Sequence, residues 1–110
     1  VSPRRFGGLH LPALEALAAG LVVVMSDCPP NDVWPGPRIP TTSTQTVATR
    51  AGVIPLHDCD PHALAACLDD LATNPELIDK YRQEAADWTQ ANTWDALRPK
   101  WEDELARACW

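Results

Sequence analysis

Blocks of apolar residues in the first half of the chain predict one helix and two strands. Residues 12–19 are mostly Ala and Leu, begin with proline and are followed by Gly20, which predicts a short helix with a glycine stop. The continuous apolar run 21–25, LVVVM, is typical of a strand that is covered on both faces. A second strand is predicted at 52–56, where Pro55 favours a short strand or an edge. This order of elements indicates the α/β class.

The second half of the chain predicts three consecutive helices. Asp60, Asn74 and Thr93 each stand where a helix N-cap is expected. Between the two predicted strands, residues 28–46 are rich in Pro, Thr and Ser and show no clear period, so they predict a long loop. The last helix carries an apolar stripe, which we interpret as a packing surface and which consists of Trp94, Leu97, Trp101, Leu105 and Ala108.

Length and charge limit the class of partner. At 110 residues the chain forms at most one domain. Its net charge of −6 argues against nucleic acid and against acidic membrane surfaces. The most apolar stretch, residues 11–25, is shorter than the ~20 residues that span a bilayer, so no membrane insertion is expected. These features predict a cytoplasmic protein whose partner is a small molecule or another protein.

The cysteines and histidines do not form a recognisable metal motif. Four cysteines are present without a CxxC pair. His57, Cys59 and His62 lie close together in the sequence, but no fourth ligand stands at a familiar spacing. We therefore expect reduced thiols, no metal site and no cofactor.

Glu15 is the only acidic residue between Phe6 and Ser26, within a short apolar helix. A buried carboxylate is costly unless it is paired or hydrogen-bonded, so Glu15 requires a partner. One candidate is a structural ion pair with Arg4 or Arg5 in the preceding loop. The other is a diol, whose two hydroxyls can both donate to one carboxylate. The residues alone leave both alternatives open.

The segment before this helix has features of a phosphate-binding loop. Gly7 and Gly8 would let the backbone approach a ligand closely, and the amides at a helix N-terminus favour phosphate oxygens. Arg4 and Arg5 would add charge-assisted contacts to a diphosphate. A glycine pair alone is a weak signal. The combination with an apolar helix, a buried strand and Asp27 at its end is more specific, because ligands of open α/β sheets bind where strands end and helices begin.

The segment 4–31, RRFGGLHLPALEALAAGLVVVMSDCPPN, resembles the donor-site motif of family-4 GT-B retaining glycosyltransferases. It is most similar to a variant in actinobacterial and phage enzymes in which Arg-Arg-aromatic-Gly-Gly replaces the usual acidic start. The resemblance extends over nearly the whole chain, through a helix that begins with Asp-Pro, the run DLATNPEL and a last helix entered through a tryptophan. It is weakest over 32–50.

The resemblance assigns roles to several residues of this sequence. Glu15 matches the glutamate that holds the ribose hydroxyls of the donor. The first glutamate of the motif falls at Gly7, so the acid that contacts the transferred sugar is missing here. No catalytic residue is expected within this chain. The remaining donor-site residues are the loop whose amides face the phosphates and sugar, Gly8, Leu9 and His10, and the candidates for the diphosphate, Arg4 and Arg5.

The fold that the resemblance implies is a partial Rossmann-like parallel sheet with flanking helices and a helical C-terminus. We expect a single partial domain over 1–110, with an α/β donor-site segment at 1–59 and helices at 60–110. The implied ligand is a UDP- or GDP-sugar, and sugar transfer is expected to require an N-terminal glycosyltransferase domain or a second chain. The resemblance also implies that the last helix crosses back towards that domain, so that part of its apolar stripe would serve this contact. The alternative is a non-catalytic remnant or protein-interaction module that keeps the fold without donor binding.

Three further residues lie in or beside the predicted loop. Among the five tryptophans, Trp34 in the proline-rich loop is the better candidate for the ligand side, where an indole could stack on a sugar. Asn31 and Asp32 lie just beyond the end of the first strand, where they either face the cleft or form a turn.

Overall fold

The chain is a mixed α/β protein with a small parallel sheet, a β-hairpin and four α-helices among the residues that its computed structural model describes, 1–5 and 8–108. The elements in chain order are α1 Leu11–Ala18, β1 Met25–Ser26, a 3-10 helix Asn31–Val33, β2 Arg38–Ile39, β3 Thr41–Thr49, β4 Gly52–Cys59, α2 Pro61–Thr73, α3 Pro75–Ala91 and α4 Trp94–Ala108.

The parallel sheet has β1 at its centre. Met25 pairs with Arg38 of β2 on one side and forms a parallel bridge with Ser2 on the other. α1 connects Ser2 to β1, so the N-terminal segment, α1 and β1 together have the connectivity of a β-α-β unit. The strand predicted at 21–25 is shorter in the structure, since ladder pairing begins only at Met25.

The glycine stop predicted for α1 is confirmed in detail. The N–H of Gly20 donates to the carbonyl of Leu17 at 2.9 Å, and the N–H of Leu21 donates to Ala16 at 2.9 Å. This is the Schellman pattern, and Gly20 takes the positive φ of 75° that the pattern requires.

The prediction of a loop over 28–46 is wrong. The segment contains the 3-10 helix, β2 and the first part of β3, which pairs antiparallel with β4. β4 also continues past Pro55 to Cys59. The N–H of His57 donates to the carbonyl of Arg5, on the side away from β3. Alternation puts the nitrogen of Pro55 on this same outer side, where its missing N–H removes no bond to β3.

The helices of the second half begin where the sequence predicts. The side chain of Asp60 accepts a hydrogen bond from the N–H of His62 at 2.9 Å, and Thr93 Oγ1 accepts from the N–H of Ala96 at 3.2 Å. α3 begins directly after Asn74, whose side chain makes no capping bond.

The core lies between α1, β1 and α3. The burial of three tryptophans differs from what the sequence analysis suggests. Trp34 is only 4% exposed and packs in this core, so its side chain is not available to a ligand. Trp94 and Trp101 are 75% and 56% exposed, so this part of the last stripe does not pack against the described residues of the chain. The core consists of Ala13, Leu17, Val23, Met25, Trp34 and Ala85, with Leu14, Ala16 and Trp88 against it.

The molecule is flat and more exposed than a compact domain of its size. Its radius of gyration is 16.8 Å, against about 13 Å for a compact chain of this length. Its extents are 53 × 40 × 16 Å. The accessible surface of 7636 Å² exceeds by roughly 1,600 Å² the value expected for a compact monomer of 12.0 kDa. None of the helices in the described ranges is long and apolar enough to cross a bilayer.

Candidate functional site

The predicted donor loop lies at the carboxyl end of the parallel sheet. It runs from Ser2, at the sheet edge, to the start of α1 at Leu11, and Phe6 and Gly7 within it lie outside the described residues. In a β-α-β unit this loop is the place where ligands approach both the strand ends and the helix N-terminus. The position of the loop therefore suits the phosphate-binding role that the sequence suggests.

The end of β1 holds the backbone of Arg4 in place. The fully buried Ser26 donates its hydroxyl to the carbonyl of Arg4 at 2.6 Å. The thiol of Cys28 also points to this carbonyl, at 3.8 Å, and burial raises the pKa of that thiol. Ser26 was not among the residues that the sequence singled out, although a hydroxyl directly after an apolar strand is a usable signal.

His10 lies beside Ser2 and Arg4. Its Nδ1 is 3.4 Å from the hydroxyl of Ser2. Burial, and then the positive charge of Arg4, lower the pKa of His10 below its ordinary value of 6.5. A neutral imidazole at neutral pH follows from both effects.

The three residues directly before α1, Gly8 to His10, have backbone amides without an acceptor among the described residues. Gly8 and Leu9 are exposed, and in the described part of the chain no acceptor bonds their N–H groups or that of His10. A Cβ built on Gly8 would meet no atom within 4 Å, and its φ is not positive. Neither packing nor backbone conformation therefore requires glycine at this position.

Glu15 does not have the environment that the sequence analysis assumed. Its side chain is exposed on α1, and neither Arg4 nor Arg5 forms an ion pair with it. The structural ion pair is therefore wrong for this residue, and the premise of a buried carboxylate is wrong as well. The carboxylate is accessible to a ligand.

Arg5 belongs to the hairpin rather than to an open phosphate site. Its Nε lies 2.6 Å from Asp58 Oδ1, and its Nη2 lies 3.3 Å from Asp58 Oδ2 and 3.4 Å from the amide oxygen of Gln45. The carbonyl of Arg5 also accepts from His57. These contacts join the loop before α1 to β3 and β4.

Arg38, the first residue of β2, is a further cation close to Asp27, and sequence analysis missed it. Its Nη1 is 3.9 Å from Asp27 Oδ1, and its Nη2 donates to the carbonyl of Trp34 at 3.3 Å. The carbonyl of Asp27 accepts from the hydroxyl of Thr41 at 2.9 Å. Arg38 was missed because β2 lies inside the predicted loop, and a lone basic residue in Pro-Arg-Ile-Pro gave no separate signal.

A cleft of about 270 Å³ runs beside α1. It lies along the face of Pro12, Ala13 and Ala16, and Glu15 does not line it. The candidate residues therefore do not converge on one enclosed cavity. The complete lining is Val1, Ser2, His10, Pro12, Ala13, Ala16, Leu21, Val22 and Val23.

The other candidate polar residues have structural positions. Asn31 is buried and donates to the carbonyl of Ser26 at 3.3 Å, whereas Asp32 is exposed. Within residues 1–5 and 8–108, no three His, Cys, Asp or Glu side chains are grouped as metal ligands would be, and this includes His57, Cys59 and His62.

Comparisons of the chain with protein-family models, with curated proteins and with solved structures find no significant match.

Proposed function

We propose that the chain binds a nucleoside diphosphate sugar through the loop before α1, as the donor-binding part of a retaining GT-B glycosyltransferase. The observation that carries the proposal is the set of unbonded amides at Gly8, Leu9 and His10, beside Arg4 and at the carboxyl end of a parallel sheet. Backbone N–H groups at a helix N-terminus, with a guanidinium nearby, are a common arrangement for binding phosphate oxygens.

In this proposal each residue has a separate role. The amides of Gly8 to His10 and the guanidinium of Arg4 bind the diphosphate. The exposed carboxylate of Glu15 accepts hydrogen bonds from two ribose hydroxyls. Arg5 positions the loop against the hairpin through Asp58, and we no longer assign it to the diphosphate.

Transfer of the sugar is proposed to take place in a cleft that an N-terminal glycosyltransferase domain or a second chain completes. The sequence resemblance supports this part of the proposal. The acid that would contact the transferred sugar is missing at Gly7. Binding of the nucleotide is therefore a separate question from recognition of the sugar. Nucleotide binding is the step to test first.

The test is a thermal melt of the purified chain with UDP, GDP, UDP-glucose or GDP-mannose. A ligand that binds only the folded state, at about one hundred times its Kd, stabilises that state by about 2.7 kcal/mol. We expect one nucleotide family to raise the melting temperature. Glu15→Gln should lower affinity about tenfold or more, because a hydrogen bond to a charged group contributes roughly 1.5–3 kcal/mol.

The matched control is Glu76→Gln, which removes an exposed carboxylate from the first turn of α3, away from the loop. This variant should bind nucleotide like the parent chain. Arg4→Gln should weaken binding of the diphosphate and have less effect on binding of the nucleoside. If the chain is folded and no nucleotide changes its melting temperature, donor binding is excluded.

A second candidate function is a non-catalytic interaction module. The excess accessible surface of roughly 1,600 Å² favours it, because a standard interface buries about 800 Å² on each partner. Under this function Glu15→Gln would leave all nucleotide melts unchanged, and association with a protein would raise stability instead.

A further inference from the structure

The peptide that joins Arg4 to Arg5 is held by two donors from the end of β1. Ser26, which is fully buried, donates its hydroxyl to the carbonyl oxygen of Arg4 at 2.6 Å. The thiol of Cys28 reaches the same oxygen at 3.8 Å, and burial raises the pKa of this thiol, so it keeps the proton that it donates. A thiol is a weak donor, so the hydroxyl of Ser26 determines where this carbonyl points.

The direction of this carbonyl fixes the N–H of the next residue. In a planar trans peptide the C=O and the N–H point in opposite directions, so the N–H of Arg5 points away from Ser26 and from the end of β1. Over residues 1–5 and 8–108, no acceptor bonds this N–H. The next carbonyl, that of Arg5, is also fixed, because the N–H of His57 donates to it at 2.8 Å. The N–H of Arg5 is therefore an open donor of fixed direction at the start of the loop before α1.

A donor at this position adds to the open amides of Gly8 to His10 at the other end of the loop. The guanidinium of Arg4 is close to His10, since after burial its positive charge is the second cause of the lowered pKa of that histidine. If the Arg4–Arg5 peptide were turned round, the carbonyl oxygen of Arg4 would take the place of the N–H. Backbone N–H groups bind anions, whereas a carbonyl oxygen repels them. The direction of one peptide therefore decides whether this end of the loop attracts or repels a phosphate.

We propose that Ser26 is a positioning residue for the diphosphate, because its hydroxyl holds the Arg4–Arg5 peptide with the N–H of Arg5 turned to the ligand side. Ser26 is buried below the loop, so it acts through this peptide and not by touching the ligand. The inference rests on the proposed binding of a nucleoside diphosphate and adds to it a residue outside the loop. A hydroxyl with a purely structural role would affect the stability of the chain, without distinguishing a nucleotide from its nucleoside.

Ser26→Val and Ser26→Thr are a matched pair, because the two new side chains have nearly the same shape and only threonine keeps the hydroxyl. NMR titrations with UDP and GDP, and with uridine and guanosine as probes without phosphate, measure the affinities of the folded variants. Ser26→Val should weaken binding of the nucleotide that the parent chain binds by about tenfold, the loss expected for one hydrogen bond to a charged group. Its affinity for the nucleoside should stay within about twofold of the parent, and Ser26→Thr should bind both probes within about threefold of the parent.

The outcomes separate this inference from the proposed function. If the parent chain binds a nucleotide and the two variants bind it equally well, the role of Ser26 is refuted and the proposed function stands. An equal loss for nucleotide and nucleoside would also refute that role, because a general loosening of the fold has this effect. A folded parent chain that binds no nucleotide refutes the proposed function, and the inference with it.

The carbonyl carbon of Arg4 reports the hydrogen bond in the absence of any nucleotide. We expect its ¹³C resonance to move upfield in Ser26→Val and to stay close to the parent position in Ser26→Thr. The same resonance in both variants would mean that the hydroxyl does not hold this carbonyl, which would contradict the proposal. Circular dichroism establishes that each variant is folded. If the larger side chains prevent folding at this buried position, Ser26→Ala is compared with the parent chain in the same measurements.

Discussion

Gly36→Ala should destabilise the chain far more than the same change at Gly20. Gly36 has a φ of 116°, and a Cβ built there would lie 2.7 Å from the backbone oxygen of Val23. Gly20 has a φ of 75°, but no atom lies within 4 Å of the added Cβ. Both substitutions place alanine at an unfavourable φ, but only the alanine at Gly36 would clash with neighbouring backbone.

The magnitudes follow from these two geometries. Alanine at Gly36 carries backbone strain of about 1–3 kcal/mol and a displacement of packed backbone that costs about the same again. At Gly20 the left-handed conformation costs roughly 1–2 kcal/mol, and the lower entropy of the unfolded chain offsets about half of it. Gly36→Ala should therefore cost about 4 kcal/mol and Gly20→Ala about 1 kcal/mol. The larger loss is a major fraction of the ~5–15 kcal/mol that stabilises a small domain.

Urea unfolding followed by tryptophan fluorescence measures both values, because Trp34 is buried beside this contact and its emission will shift on unfolding. Equal losses for the two variants would refute the reasoning. Such a result would mean that the segment before β2 does not lie against Val23, and the arrangement of β1 and β2 would then be wrong. Gly52→Ala, with a φ of 130° and open space, is a second control that should show strain without a clash.

Two further predictions concern the core and the loop. Trp34→Ala should reduce the free energy of unfolding by about 3–5 kcal/mol, whereas Trp101→Ala in dilute protein should change it by less than ~1 kcal/mol; similar losses in urea titrations would contradict the assignment of Trp34 to the core. The lowered pKa of His10 means that protonation costs the folded state more than the unfolded chain, so the stability that His10 contributes is present above pH 6.5 and is lost as the pH falls through its folded pKa. In an NMR titration Arg4→Gln should move the midpoint of His10 upwards, and an unchanged midpoint would leave burial as the sole cause.

Elements that depend on neighbouring residues could be predicted from the sequence. The glycine stop of α1 and the caps at Asp60 and Thr93 are interactions across a few residues, and each is present. The pairing of β2 with β1 joins residues 13 apart in sequence, such as Met25 and Arg38. The hairpin of β3 and β4 begins locally, where Thr49 pairs with Gly52, but its Thr-rich first strand gives no periodic signal. Propensity is a weak guide to such strands because cross-strand packing determines them.

The exposure of Glu15 could have been found from the helix geometry. Glu15 lies two residues from both Ala13 and Leu17, and at 100° per residue it points about 200° away from them. Those two residues are buried, so the carboxylate has to face solvent. Because every other side chain of the helix is apolar, the composition of the segment suggested burial of Glu15 where the helix geometry indicates exposure.

The flat shape of the molecule makes binding to its folded state easy to measure. A molecule only 16 Å thick has little core, so a ligand that binds the folded state will raise its melting temperature measurably. Association with a protein partner, the second candidate function, has the same effect. The two effects are distinguished by the matched variants: a nucleotide shift that persists with Glu76→Gln and disappears with Glu15→Gln arises at the loop before α1, whereas a shift caused by a protein partner is the same in both variants.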